Sequence, residues 1–135
     1  MKLLIVDDHP RIRHTIREIL ARRDDDVREC ASGFDAIRLA GDFQPDYLTM
    51  DVHMPGISGI EAVRSILAVC PGVRAIMVSG NDDPELRTAA AEAGAAGYVL
   101  KDNLIELLPL LGRLSLNGRR PAPSGNRAGP AEGTP

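Results

Sequence analysis

The sequence predicts an α/β protein, a doubly wound parallel sheet of five strands with helices on both faces. Three observations carry that prediction. Short runs that read as strands recur five times, most of them apolar: LLIV at 3–6, DVRECA at 26–31, YLTM at 47–50, VRAIMV at 73–78 and YVL at 98–100. Each is followed by a segment suited to a helix, and the connections are short. Continuously apolar strands alternating with helices imply a parallel sheet covered on both sides.

The elements follow in order. LLIV meets charge at Asp7, and Pro10 suits a helix start. Ile12, Ile16, Ile19 and Leu20 then recur at helical spacing, with Arg11, Arg13, Arg17, Arg22 and Arg23 mostly on the other face. After the second strand, Ser32 is a candidate cap for a short helix from Gly33 to Ala40. The third strand runs into Asp51 and a Met-Pro-Gly turn. A helix from Gly59 to Val69 points Ile60, Val63, Ile66 and Leu67 inward and stops at Pro71-Gly72. An Ala-rich helix from Pro84 to Ala93 ends at Gly94. Asn103 is expected to cap a last helix from Leu104, which Pro109 would kink or end. From Asn117 the composition turns to Gly, Pro, Ser and Arg without apolar periodicity. The expected organisation is a folded domain at 1–116 and a disordered Gly/Pro/Arg-rich tail at 117–135.

Bulk properties narrow the function. A chain of 135 residues suits one core, and with 3% aromatics and no Trp that core is built from Leu, Ile, Val and Ala. Net charge is −3. The tail holds three arginines and one glutamate, which leaves −5 on the body, a poor non-specific binder of nucleic acid. Cys30 and Cys70 fit neither a metal-ligand spacing nor a disulfide framework, and read as two buried free thiols. No segment is long enough to span a membrane and the first residues do not read as a signal peptide, so the expectation is a cytoplasmic protein.

The chemistry gathers at the strand ends. Asp7 and Asp8 follow the first strand, Asp51 ends the third, Ser79 ends the fourth and Lys101 follows the fifth. In a right-handed parallel sheet these ends share one edge, where ligands bind at the topological switch point. Two carboxylates about 4 Å apart repel by roughly 4 kcal/mol at an effective dielectric of 20. A divalent cation removes the conflict, and an all-oxygen donor set selects a hard ion such as Mg²⁺. Such a site can draw in a phosphoryl group, with Lys101 neutralising charge, Ser79 donating a hydrogen bond and Asp51 acting as a carboxylate nucleophile. Gly56 and Gly59 allow the chain to bend sharply after Asp51, leaving its carboxylate approachable. Singly, each residue has a plain reading: Asp7 and Asp8 as strand terminator and cap, Lys101 as a solvated lysine, Ser79 as a loop hydroxyl, Tyr98 as core, His9 and His14 as surface. The arginines of the first helix read as solvated or as a partner's docking face.

With these motifs in order, LLIVDDHP, DYLTMDVHMPGISGIEA, MVSG and GYVLKD, residues 1 to 116 resemble the receiver domain of two-component response regulators. LIVDDHP and GYVLKD are most similar to the subgroup that usually carries a LuxR-type helix-turn-helix output domain. The resemblance implies a five-stranded (βα)5 flavodoxin-like fold and a phosphoacceptor, Asp51. It implies Mg²⁺ held by Asp8 and Asp51, by Asp7 mainly through water, and by the backbone carbonyl of His53. It implies that Lys101 pairs with Asp51 and later with the phosphate, and that Ser79 and Tyr98 form a switch pair. Gly80 would leave room for the phosphodonor, and His53 and Asn81 would tune phosphate lifetime. The implied partner is a histidine kinase or a histidine phosphotransfer protein. The implied chemistry is confined to the chain itself, self-phosphorylation and autodephosphorylation.

Competing readings are a receiver-like interaction module that is never phosphorylated, an aspartyl-nucleophile phosphohydrolase and a DNA-binding regulator. The hydrolase would want a second acid where His53 stands, and no helix-turn-helix pattern follows residue 116. A stand-alone receiver and a piece of a longer regulator both stay open. The apolar LIELLPLLGRLSL segment suggests a surface for a second copy or a downstream protein. Thr49 departs from the family pattern by placing a hydroxyl in the phosphoacceptor strand.

Overall fold

A computed structural model of the chain describes residues 1–117; the rest of the stretch expected to be a disordered tail lies outside the described residues. Five strands alternate with helices: β1 (Lys2–Val6), α1 (Pro10–Leu20), β2 (Asp26–Cys30), α2 (Gly33–Phe43), β3 (Tyr47–Asp51), α3 (Gly59–Val69), β4 (Arg74–Ser79), α4 (Pro84–Glu92), β5 (Gly97–Leu100), a 3₁₀ turn (Lys101–Glu106) and α5 (Leu107–Asn117). All strand pairs are parallel, in the order β2-β1-β3-β4-β5. The order reverses between β1 and β3, so the crevice of a doubly wound sheet opens beyond their carboxyl ends. The predicted fold is the observed one.

Strand alternation builds two cores. Leu4, Val6, Leu48, Met50, Ala75 and Met77 face one way, against α2, α3 and Ala90 of α4. Leu3, Ile5, Tyr47, Ile76, Val78 and Val99 face the other way, against α1 and α5. Residues of β1, β3 and β4 are buried almost without interruption. β2 departs from the expected continuous burial because it is an edge strand, with Asp26 and Arg28 exposed, and charge at an edge discourages further pairing.

Ser32 caps α2 as expected, accepting from the Asp35 N–H at 3.1 Å, and Ser58 caps α3 in the same way through Glu61. α2 runs past Gly41 to Phe43. It stops where Gln44 takes a left-handed φ of 51° ahead of Pro45. The last helix differs more. No α-helix begins at Leu104, and Asn103 is non-helical at φ −141°, ψ 44°. Pro109 has no N–H to give the Ile105 carbonyl, so an α-helix begun at Leu104 could not run unbroken through it. α5 starts at Leu107, which puts the proline in the first turn, where its missing donor has no partner to lose. α5 therefore runs on through Asn117 rather than kinking. Of the two thiols expected to be buried, Cys70 is and Cys30 is half-buried; both are free. Burial pushes the Cys30 thiol up to about 11, which leaves it inert.

Thr49 sits fully buried between Ile5 and Ile76 in register, and its Oγ1 has no hydrogen-bond partner among the described residues. Thr49→Val removes that orphaned group at constant shape and is expected to stabilise the fold by about 1 kcal/mol. A urea melt reads this, and a loss of stability would show that the hydroxyl is bonded in solution. No helix among the described residues is long and apolar enough to cross a membrane.

Candidate functional site

Parallel pairing brings the chemistry-bearing ends together. β1 ends one residue before Asp7, and β3 ends at Asp51, which lies opposite Val78 of β4. The backbone anchors both acids. Asp7 N–H donates to the Cys30 carbonyl at 3.2 Å, and the Asp7 carbonyl accepts from Arg13 Nη1 at 2.7 Å. Beyond Asp51, Val52 N–H donates to Val78 O at 3.1 Å, and Gly59 N–H returns to Val52 O at 2.8 Å. This second bond folds the loop back so that α3 begins directly behind the acid. Gly56 supports the turn with φ 88°, a conformation that favours glycine.

Asp7, Asp51 and Lys101 form one unit. Lys101 Nζ lies 3.2 Å from Asp7 Oδ2 and 3.2 Å from Asp51 Oδ1. The two acids are 1% and 2% exposed, while Asp8 is half-exposed beside them. Burial, and then the charge of Asp7, push the Asp51 carboxyl up to about 6, although Lys101 and the His53 backbone N–H pull against the rise. Burial works against the Lys101 charge as well, but Asp51 and Asp7 outweigh it and raise the ammonium above its ordinary value. The pocket thus holds more negative charge than its single lysine neutralises. The expected open approach to Asp51 is not seen, because the side chain is closed in between its neighbours, with Lys101 bridging the two acids.

The other predicted residues line the same edge. Ser79 is fully buried at the end of β4, and its Oγ accepts from Asn81 N–H at 3.0 Å. The Asn81 carbonyl accepts from the Tyr98 hydroxyl at 2.9 Å. Tyr98 is half-buried on β5, with the Arg87 guanidinium 4.6 Å from its ring centroid, and Arg87 Nε also pairs with Asp82 at 2.7 Å. A Cβ at Gly80 would meet nothing within 4 Å. The His53 side chain is exposed, and so is Asn81. Among the helix α1 arginines, Arg13 and Arg17 are tied to Glu29 of β2 at 3.0 and 2.8 Å, so those two are partly structural.

The donor set fits a hard divalent cation. Asp7, Asp8, His9 and Asp51 each offer a ligand atom, all within 4.8 Å of one another. Asp51 Oδ2 and Asp8 Oδ1 are buried without a hydrogen-bond partner among the described residues, a cost that an ion would relieve. The sequence places His9 at the surface. Its ring is indeed largely exposed, yet Nδ1 lies 3.0 Å from Asp7 Oδ1 and 3.2 Å from Asp8 Oδ1. The signal that could have found it was its position directly after the acid pair.

Comparison with known proteins agrees with this geometry. The family described as "Response regulator receiver domain" matches residues 3–110. The response regulator GacA of Pseudomonas aeruginosa is 38% identical over 103 residues, covering 75% of this chain and 48% of that protein. The transcriptional regulatory protein DegU of Brevibacillus brevis is 32% identical over 117 residues, covering 82% of this chain and 50% of the relative. The chain thus spans about half the length of these curated relatives. Among solved structures, a two-component response regulator of the LuxR family from Aurantimonas sp. SI85-9A1 superposes with a TM-score of 0.78 at 35% identity, covering 88% of this chain and 86% of that one. The response regulator domain of Thermotoga maritima CheB gives 0.76 at 26% identity, covering 88% and 98%.

Proposed function

The chain belongs to the response regulator receiver family of two-component systems, and on that premise we propose that Asp51 accepts a phosphoryl group and that its modification switches a protein-interaction surface. The donor is a histidine kinase or a histidine phosphotransfer protein, the partners with which receiver domains interact. The observation that carries this reading is the state of Asp51: buried at the end of a central strand, with one oxygen on Lys101 and the other without a partner among the described residues.

An Asp51 oxygen attacks phosphorus. A P–O bond forms as the donor's P–N bond breaks, and the electron pair of that bond stays on the donor imidazole. Receiver domains bind Mg²⁺ at such an acid cluster; here Asp8 and Asp51 would hold it, Asp7 mainly through water, with the His53 carbonyl, and it would supply neutralising charge to the phosphoryl oxygens. The Lys101 ammonium, shared between Asp7 and Asp51, passes to an incoming phosphoryl oxygen and so reopens the path to the nucleophile. The Ser79 hydroxyl accepts from Asn81 and keeps its own proton to donate to the phosphoryl group. Asn81 then links site to surface, since its N–H holds Ser79 and its carbonyl holds Tyr98. A Ser79 that moves toward phosphate pulls on the segment that keeps Tyr98 in place, which biases a two-state element of α4, β5 and α5. The exposed side chains of His53 and Asn81 set access of water and hence phosphate lifetime, and the open space at Gly80 admits the donor.

The receiver acts on no substrate but itself. Its acidic body argues against direct contact with nucleic acid. Ile105 and Leu108 are 63% and 44% exposed around the start of α5, which favours that region for a second copy or a downstream protein. Incubation with a small-molecule phosphodonor and Mg²⁺ is expected to add one phosphoryl group, read by intact mass. The label is expected to be lost in Asp51→Asn and in EDTA; equal labelling of the variant would refute the assignment.

A further inference from the structure

His9 is the member of the acid cluster that has no task in the phosphoryl transfer proposed for Asp51. It stands at the N-cap of α1, yet its side chain makes no capping bond. Its backbone N–H donates to Asp7 Oδ1 at 2.9 Å, and this bond holds the residue so that the ring turns back over the acids. One ring nitrogen and one oxygen each of Asp7, Asp8 and Asp51 lie within 4.8 Å of one another. Donors on opposite sides of a small divalent ion, with bonds of about 2.1 Å, are roughly 4.2 Å apart, so small side-chain shifts would close this set around an ion. A separate observation points to a ligand in the same cluster: Asp51 Oδ2 belongs to a residue only 2% exposed and has no partner among the described residues.

We propose that His9 Nδ1 is a nitrogen donor of this cation site and gives it a preference for first-row transition divalents over Mg²⁺. This rests on the reading that the acids hold a divalent cation. Carboxylates are hard donors and discriminate little in favour of transition metals. Imidazole is a borderline donor whose contribution rises along the series from Mn²⁺ to Ni²⁺, whereas Mg²⁺ favours oxygen and keeps its waters. Without an ion, Nδ1 lies at hydrogen-bond distance from Asp7 Oδ1 and 3.2 Å from Asp8 Oδ1, a position that suits its N–H tautomer beside the two acids. To ligate, it passes that proton to Nε2 on the exposed side of the ring. The tautomer change therefore buries no charge; Asp7 Oδ1 keeps the His9 backbone N–H, and the ion itself answers the carboxylate oxygens the ring proton leaves.

Affinities for Mg²⁺, Mn²⁺ and Ni²⁺, each alone, are measured by calorimetry on the full chain and on His9→Ala. The variant removes an exposed ring without a capping bond, and circular dichroism verifies its fold. The expected result is a fall of about tenfold or more in the ratio of Ni²⁺ to Mg²⁺ affinity. Pulsed EPR of the Mn²⁺-loaded chain is expected to show a ¹⁴N coupling that His9→Ala abolishes. An unchanged ratio, with no difference in ¹⁴N coupling, would assign His9 to orienting the carboxylates by hydrogen bonding and overturn the proposal. In that outcome normal Mg²⁺ binding leaves the receiver chemistry standing. No divalent binding by either protein would instead overturn both this inference and the cation site on which it depends.

Discussion

In EDTA at pH 8, Asp51→Asn is expected to be more stable than the parent chain by about 3 kcal/mol, and the gain is expected to vanish near pH 4. The cause is the carboxyl raised from 3.8 to about 6 by burial and by Asp7. Between those values the folded chain binds a proton that the unfolded chain has already released. Ionising Asp51 therefore costs the folded state, and parent stability falls as pH climbs from about 4 through about 6. Below that window both states carry the neutral acid, and the two proteins converge. A shift of that size corresponds to about 3 kcal/mol, and the side chain that carries it is buried. The asparagine keeps the shape, and Lys101 keeps Asp7. Urea melts from pH 4 to pH 8 check the prediction; a parent that outlasts the variant at pH 8 would show that Lys101 already satisfies Asp51. Mg²⁺ is expected to stabilise the parent more than the variant, because the uncompensated charge is what the ion answers.

This excess of charge explains why the site was legible in the sequence. Carboxylates at 7, 8 and 51 and the lysine at 101 lie far apart along the chain, but the handedness of parallel connections places their strand ends on one edge, and the structure brings Asp7, Asp51 and Lys101 into contact. The elements were legible for a similar reason, since burial on both faces leaves long apolar runs. What escaped depended on local geometry that periodicity does not carry. The path of α2 beyond Gly41 was hidden because glycine reads as a stop, whereas the stop is Gln44 and Pro45. The start of α5 was set by which carbonyl Pro109 would leave unserved, not by the polar residue preceding the apolar run. His9 reads as a surface residue because exposure and contact with the acids are compatible for a long ring, and only the N-cap backbone decides where it turns. The closing-in of Asp51 is a tertiary result of Lys101 reaching two acids at once.

Gly59→Ala is expected to cost about 3 kcal/mol or more, although alanine is the better helix former by about 1 kcal/mol. A Cβ there would lie 1.9 Å from the Asp51 carbonyl oxygen and 2.8 Å from its carbon, with Met50 Cγ at 3.0 Å. The obstacle is backbone of a central strand, so no rotamer change clears it. Relief requires α3 to back away from β3, which stretches the bond from Gly59 N–H to Val52 O and disturbs the α3 residues packed in the core, Ala62, Val63 and Ile66. The same displacement moves the residue that carries the nucleophile, so the rate of phosphodonor labelling is expected to drop along with stability. Gly80→Ala separates the two effects. Its Cβ meets nothing within 4 Å, so its melt is expected to match the parent's, while a methyl in the space proposed for the donor slows labelling. If Gly59→Ala melts with the parent, the close passage of α3 behind Asp51 is not the constraint that holds the acid in position.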